Sequence, residues 1–207
     1  MNKNEFLFRF HLKQHENSCH NYQHNAPLKS AAVLIALFEN KKNTQITNVN
    51  GSNKNEFFSS DLQVLLTRRA SHLKHHPSQI SFPGGKVELT DKNLVHTALR
   101  EAQEEIGLDP DTVSVIGQLA NYEIISGYQV TPIVAIIDKQ QTYKKDENEV
   151  DEIFHVPLKH FLQEENHQCI DTFYSGRHHK VHFYPYKHYN IWGATAAMMK
   201  DLVNRIK

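Results

Sequence analysis

The sequence predicts an α+β domain, or a layered α/β/α arrangement. Three observations point there. Short apolar runs at 30–39, 62–67 and 128–137 read as buried strands, being too short for helices and partly β-branched. Two longer stretches, 92–107 and 190–206, repeat their apolar residues at the helical period. Strands and helices then alternate irregularly, without internal repeats. The 207 residues suit one domain with an extension. Residues 1–28 read as the N-terminal extension and 29–207 as the domain.

Each element has its own signal. Residues 4–14 carry Phe6, Leu7, Phe8, Phe10 and Leu12, a short helix or strand packed on the domain. Residues 15–28 are polar, contain Pro27 and read as a linker. Residues 30–39, SAAVLIALFE, form the first buried strand, and 62–67, LQVLLT, the returning one. Between them the polar insert 40–56, with its Asn50-Gly51 pair, reads as a turn or long hairpin loop. Residues 68–91 show no regular element, although Pro83-Gly84-Gly85 marks a turn. The helix 92–107 stops at Gly107, with Pro110 beyond. Segments 112–119 and 128–137 read as strands. The run KKDENEVDE, 144–152, reads as a charged, solvated loop. Val156-Pro157-Leu158 leads to a short helix near 158–165. Segments 168–174 and 180–186 form a hairpin around Ser175-Gly176, and an amphipathic helix closes the chain.

Composition removes several function classes. Lys and Arg number 23, Asp and Glu also 23. That neutrality gives no support to a nucleic-acid binder, which carries a basic excess. Hydrophobic residues are 39% of the chain, enough for a core, and no apolar run reaches the roughly 18 residues that span a membrane. The first twenty residues lack the apolar run of a signal peptide. Cys19 and Cys169 form no metal or redox pattern and read as reduced thiols of a cytoplasmic protein. The 15 histidines include no helical ligand pair and read mostly as surface residues.

The chemistry concentrates in LVHTALREAQEEIGL, 94–108. With Glu101 at zero on a helical wheel, Glu105 falls at roughly +40° and Glu104 at roughly −60°. Val95, Ala98, Leu99, Ala102 and Ile106 form an adjacent stripe at roughly +60° to +160°. The helix therefore docks by one side and carries three acids along its margin. In isolation that pattern is unfavourable. Like charges at i,i+4 cost about 0.2–0.5 kcal/mol, and the dipole disfavours anions near the C-terminal end. A hard divalent cation, Mg²⁺ or Mn²⁺, would remove the penalty. Without context, a solvated acidic face partly compensated by Lys92 and Arg100 would be the default.

The context is SFPGGKVELTD, 81–91. A Gly-Gly turn followed by a helix bearing Arg-Glu-x-x-Glu-Glu-x-Gly resembles the signature of the Nudix hydrolases. Arg100, Glu101, Ala102, Glu104, Glu105, Gly107 and Leu108 match its second half. Its first half departs. Asp91 stands where the glutamate is usual, one residue farther from the arginine than the common spacing, and Glu88 is a rival for that supporting acid. The segment LLTRRASHLKHHPSQISFPGG, 65–85, is similar to the motif preceding this signature in coenzyme A pyrophosphatases. Leu65, Leu66, Thr67, Arg69, Ala70 and Phe82 to Gly85 match it. Lys74 replaces the usual arginine, keeping charge but losing the bidentate fork, and Ser78 replaces the usual glycine. Further similarity runs through 126–134, 146–158 and 191–199.

The resemblance implies a Nudix-type α/β/α sandwich with a mixed central sheet. It also implies metal-dependent cleavage of a diphosphate in coenzyme A or its thioesters, giving 3′,5′-ADP and 4′-phosphopantetheine or its acyl form. Glu101 and Glu105 would be the principal metal ligands, and Glu104 a further ligand or the base. Arg100 would orient a neighbouring acid, by a charge-assisted hydrogen bond. Arg69, Lys74, Gly84 and Gly85 would meet the substrate. Glu147, Glu149, Asp151 and Glu152 could add a carboxylate, and Tyr128, Phe154 and Trp192 could line a pocket, although solvated charge and core packing are the defaults. Two alternatives stay open: another nucleoside diphosphate derivative such as ADP-ribose or NADH, and a non-catalytic nucleotide-binding module. The expected partner is a small molecule, with no nucleic acid or membrane. A homodimer is possible through the aromatic N-terminal segment.

Overall fold

The computed structural model describes residues 1–13, 27–40, 61–138, 141–174 and 177–207. Cys19, most of the polar insert and the Ser175-Gly176 turn lie outside them. The chain opens with helix α1 (Lys3–Leu12) and strands β1 (Lys29–Asn40), β2 (Asp61–Arg69), β3 (Ile80–Ser81) and β4 (Gly84–Lys86). Helix α2 (Leu94–Ile106) and a 3₁₀ turn precede β5 (Val113–Gln118), β6 (Tyr122–Ile124) and β7 (Tyr128–Ile137). Then follow β8 (Val150–Pro157), α3 (Leu158–Leu162), β9 (Gln168–Tyr174), β10 (Arg177–Tyr186), β11 (Tyr189–Trp192) and α4 (Gly193–Ile206).

Eight strands form one mixed sheet along β3-β2-β1-β7-β5, with β4 added on β1, β6 on β7 and β8 on β2. β1 runs parallel to β7 and antiparallel to β2. A second sheet, β11-β10-β9, has three strands. The large sheet divides the core by the two-residue alternation of a strand. Ala31, Ile35 and Leu37 face one cluster with α1, α3 and α4; Ala32, Leu34 and Ala36 face another with α2. The result is the expected α/β/α sandwich around a mixed sheet.

Helix α1 belongs to that first cluster. Phe6 and Phe10 are fully buried, and the Arg205 guanidinium lies 3.8 Å from the Phe10 ring centroid. The Arg205 Nε also donates to the Phe10 carbonyl at 2.9 Å. Among the described residues, no helix is long and apolar enough to cross a membrane.

Several sequence expectations need correction. Residues 68–91 contain β3 and β4, defined by pairing with β2 and β1. The segment read as a loop to 152 and then a lead into a helix contains β8, whose Val150, Phe154 and Val156 point inward beside β2. The helix near 158–165 ends at Leu162, and a separate 3₁₀ turn covers Glu164–Asn166. Strands β6 and β11 had no sequence signal, and α4 starts at Gly193 because Tyr189–Trp192 pairs with β10.

Candidate active site

Helix α2 starts where the Asn93 side chain accepts the His96 backbone N–H, and stops where Gly107 turns left-handed, φ 66°. Its burial follows the wheel. Glu105, beside the apolar stripe, has only 5% of its side chain exposed; Glu101 has 15%, and Glu104, farthest from the stripe, 59%. The three acids are one face graded from core to solvent.

Two glycines let that face meet the sheet. A Cβ on Gly85 would lie 2.5 Å from the Glu101 carboxyl carbon, and one on Gly84 would lie 2.4 Å from the Ala32 carbonyl oxygen. With neither present, Gly84 donates its N–H to Glu105 Oε2 at 3.1 Å. The Arg69 guanidinium, from the end of β2, stands 3.9 Å from Glu105 Oε1. These positive partners only partly offset burial. The Glu105 pKa is pushed up to about 8 by desolvation, with the negative charges of Glu149 and Glu101 adding to it. Burial also raises Glu101, against the pull of Arg100.

Arg100 is the hub of the acids. Its Nε and Nη2 each reach Asp91 at 3.0 Å, and Nη1 reaches Glu101 and Glu104 at 3.0 Å each. Nη2 also donates to the Lys86 carbonyl at 3.0 Å, tying α2 to β4. Asp91 is fully covered and accepts from His96 at 2.8 Å, from Thr97 at 2.9 Å and from the Glu88 backbone N–H at 2.9 Å. Arg100 holds its carboxyl well below the usual range. Glu88 is exposed, and its backbone N–H serves Asp91. The supporting acid beside Arg100 is thus Asp91.

The charged loop before β8 has a structural task. The N–H groups of Lys144 and Asp146 donate to the carbonyls of Ile106 and Glu105 at 3.0 and 2.9 Å, satisfying the open end of α2. The Glu149 carbonyl accepts from Ala70 N–H at 2.8 Å, joining the loop to the end of β2. Glu149 is thereby brought near enough to raise both Glu101 and Glu105, a fourth carboxylate that by sequence stood only among several acids of the charged loop.

The other sequence candidates divide. Lys74 is exposed and forms no ion pair with a described residue. Tyr128 is half-buried under the Lys86 ammonium, 5.9 Å from its ring centroid. Phe154 is buried and stacks on Tyr189, while Trp192 is partly exposed and stacks on Phe183. Among the described residues, no three His, Cys, Asp or Glu side chains stand ready-arranged around a cation position. Arg100 Nη1 lies between Glu101 and Glu104, so those two carboxylates must turn to meet one ion with Glu105. A buried carboxylate among like charges is nevertheless the donor set that a hard cation stabilises.

Comparison with known proteins identifies the family. A model of the NUDIX domain matches residues 55–175. The chain is 41% identical over 143 residues to the uncharacterized Nudix hydrolase NudL of Enterobacter sp. (strain 638), covering 69% of this chain and 74% of the relative. The NudL protein of Salmonella newport (strain SL254) is 42% identical over the same length and coverage. Among solved structures, a MutT/nudix family protein from Enterococcus faecalis aligns with TM-score 0.49 at 14% identity, covering 99% of this chain and 68% of that one. The chain belongs to the Nudix family and is a hydrolase of pyrophosphate bonds with that family's mixed-sheet fold.

Proposed function

We propose that this hydrolase cleaves the diphosphate of coenzyme A or its thioesters, using Mg²⁺ or Mn²⁺, to give 3′,5′-ADP and 4′-phosphopantetheine or its acyl form. One observation carries the reading. The segment 65–85, where the resemblance to coenzyme A pyrophosphatases lies, is folded directly onto the acid helix. Its Arg69 faces Glu105, its Gly84 N–H binds Glu105, and its Gly85 lies against Glu101. Substrate selection and hydrolysis thus share one wall.

The residues suggest a division of labour. Glu101 and Glu105, at i,i+4 on α2, would hold the divalent cation, with Glu104 as a further ligand or as the base that takes the water proton. Glu149 competes for either role, because it is exposed and close to both buried acids. The cation, when bound, neutralises the diphosphate and lowers the pKa of its water. Arg100, fixed by Asp91, orients Glu101 and Glu104 through charge-assisted hydrogen bonds. Arg69 presents a guanidinium to the phosphates on the opposite side of Glu105. The backbone at Gly84 and Gly85 leaves room for that approach.

A panel of coenzyme A, acetyl-coenzyme A, ADP-ribose and NADH at equal concentration, with Mg²⁺ and then Mn²⁺, tests the reading. Coenzyme A or its thioester should turn over fastest. Much faster turnover of ADP-ribose or NADH would replace the substrate, and no turnover of any would favour a nucleotide-binding module.

A further inference from the structure

The two arginines ending β2 face different ways. Leu65 lies in the core cluster on the α2 side, Leu66 in the cluster on the other. By the same alternation Arg69 stands on the α2 side, where its guanidinium meets Glu105, and Arg68 on the opposite side. The β2–β8 pairing slips here: Arg68 lies opposite Glu152 and Arg69 opposite Val150. Such irregularities re-aim side chains and recur beside active sites.

Arg68 sits in a fixed but unsaturated setting. Its Nη2 is 3.3 Å from Glu152 Oε2, and its side chain remains 37% exposed. Its Nε is shielded from solvent with no hydrogen-bond partner among the described residues. A guanidinium has five N–H donors, so most of this one is unused. Glu152 is pinned in turn, since Tyr189 donates its hydroxyl to Oε1 at 2.5 Å. The Tyr189 ring stacks on the buried Phe154, centroids 3.8 Å apart and planes 7° from parallel. A carboxylate fixed on one edge of a guanidinium leaves another edge preorganised for a planar, bidentate anion. A shielded, unpaired donor is costly unless something binds beside it.

We propose that Arg68 is a specificity-determining residue that recognises a phosphate monoester on the ribose of the substrate, with Glu152 and Tyr189 as the positioning residues behind it. Consecutive arginines on opposite faces then serve two anions: Arg69 the diphosphate, Arg68 the peripheral phosphate. The inference rests on the coenzyme A reading, because coenzyme A carries such a group at its 3′ position.

The test compares kcat/KM for coenzyme A and 3′-dephospho-coenzyme A in the wild type, Arg68→Gln, Arg68→Lys and Tyr189→Phe. The wild type should prefer the 3′-phosphorylated substrate. Arg68→Gln should reduce that preference about tenfold or more, through KM for coenzyme A, and Arg68→Lys should restore part of it. Tyr189→Phe should reduce it by a smaller factor. Affinity for 3′,5′-ADP over 5′-AMP, measured by calorimetry, should fall in parallel. An unchanged preference in folded Arg68→Gln, or an equal loss on both substrates, overturns the assignment of Arg68 alone. A wild type that cleaves ADP-ribose but neither form of coenzyme A overturns both this inference and the reading it rests on.

Discussion

Asp91 holds Arg100 by both carboxylate oxygens, at 3.0 Å each, and is itself fully covered. From that anchor the same guanidinium reaches Glu101 and Glu104. Asp91 also accepts from His96 and Thr97 in the first turn of α2, so one side chain both fixes the start of the helix and aims its acidic face. Asp91→Ala leaves a nearly buried guanidinium without its partner, which costs about 3 kcal/mol. It should lower the urea midpoint and reduce kcat by at least tenfold. Glu88→Gln, at the exposed rival position, should change neither by more than the scatter of surface substitutions. Chemical denaturation and steady-state rates of both variants check this.

Glu105 gives a pH signature. Its folded pKa is raised from 4.5 to about 8, mainly by burial. The folded state therefore holds its proton more tightly than the unfolded state does. The stability this contributes is fully present below about pH 4.5 and is lost as pH rises through 8. The whole span is on the order of 5 kcal/mol at most. Without divalent cations, Glu105→Gln should match the wild type near pH 4.5 and exceed it increasingly toward pH 8. A stability difference that stays flat across this range would contradict the burial of the charge. Adding Mg²⁺ near pH 7 should release protons, as a ligand that must ionise requires, and the proton release should shrink in Glu105→Gln.

The two glycines should fail differently. An added methyl at Gly84 meets backbone, the Ala32 carbonyl and Val33 Cα at 2.4 and 2.6 Å, at a φ of +155°. Gly84→Ala should therefore unfold or strongly destabilise the protein. The methyl of Gly85→Ala meets only the end of the Glu101 side chain. That variant should fold, with a melting temperature near wild type, yet bind Mg²⁺ more weakly and lose activity about a hundredfold. Circular dichroism and calorimetric titration separate the outcomes.

Ser78 occupies a left-handed conformation, φ 59°, where the motif in 65–85 usually has glycine. An L side chain there costs roughly 1 kcal/mol. Ser78→Gly should stabilise the protein by about 0.5–1 kcal/mol, less what glycine adds to the freedom of the unfolded chain. A thermal melt at fixed pH reads the shift.

The acid helix was the most legible part of the sequence, because its period, its Gly107 stop and its graded face are local properties. The buried strands β1, β2 and β7 were equally plain from apolar runs. Strands β3, β4, β6 and β11 were not, since each has only two to four residues and exists through its neighbours. β8 hid behind its charges: Asp151 and Glu152 are partly exposed while Val150 and Phe154 are buried, so the strand begins inside an acidic run. Asp91 was legible by its spacing from Gly85 but not by its spacing to Arg100, and only folding shows that one extra residue still delivers its carboxylate to Arg100. Arg68 and Glu149 needed tertiary structure to stand apart from the charged residues around them.

The most direct measurement is product identification from coenzyme A with Mg²⁺, for the wild type beside Glu105→Gln. The account predicts 3′,5′-ADP and 4′-phosphopantetheine in equal amounts from the wild type. It predicts a rate lower by at least a thousandfold from a Glu105→Gln protein that remains folded. Equal rates from the two proteins, or thiol products that show cleavage away from the diphosphate, would contradict it.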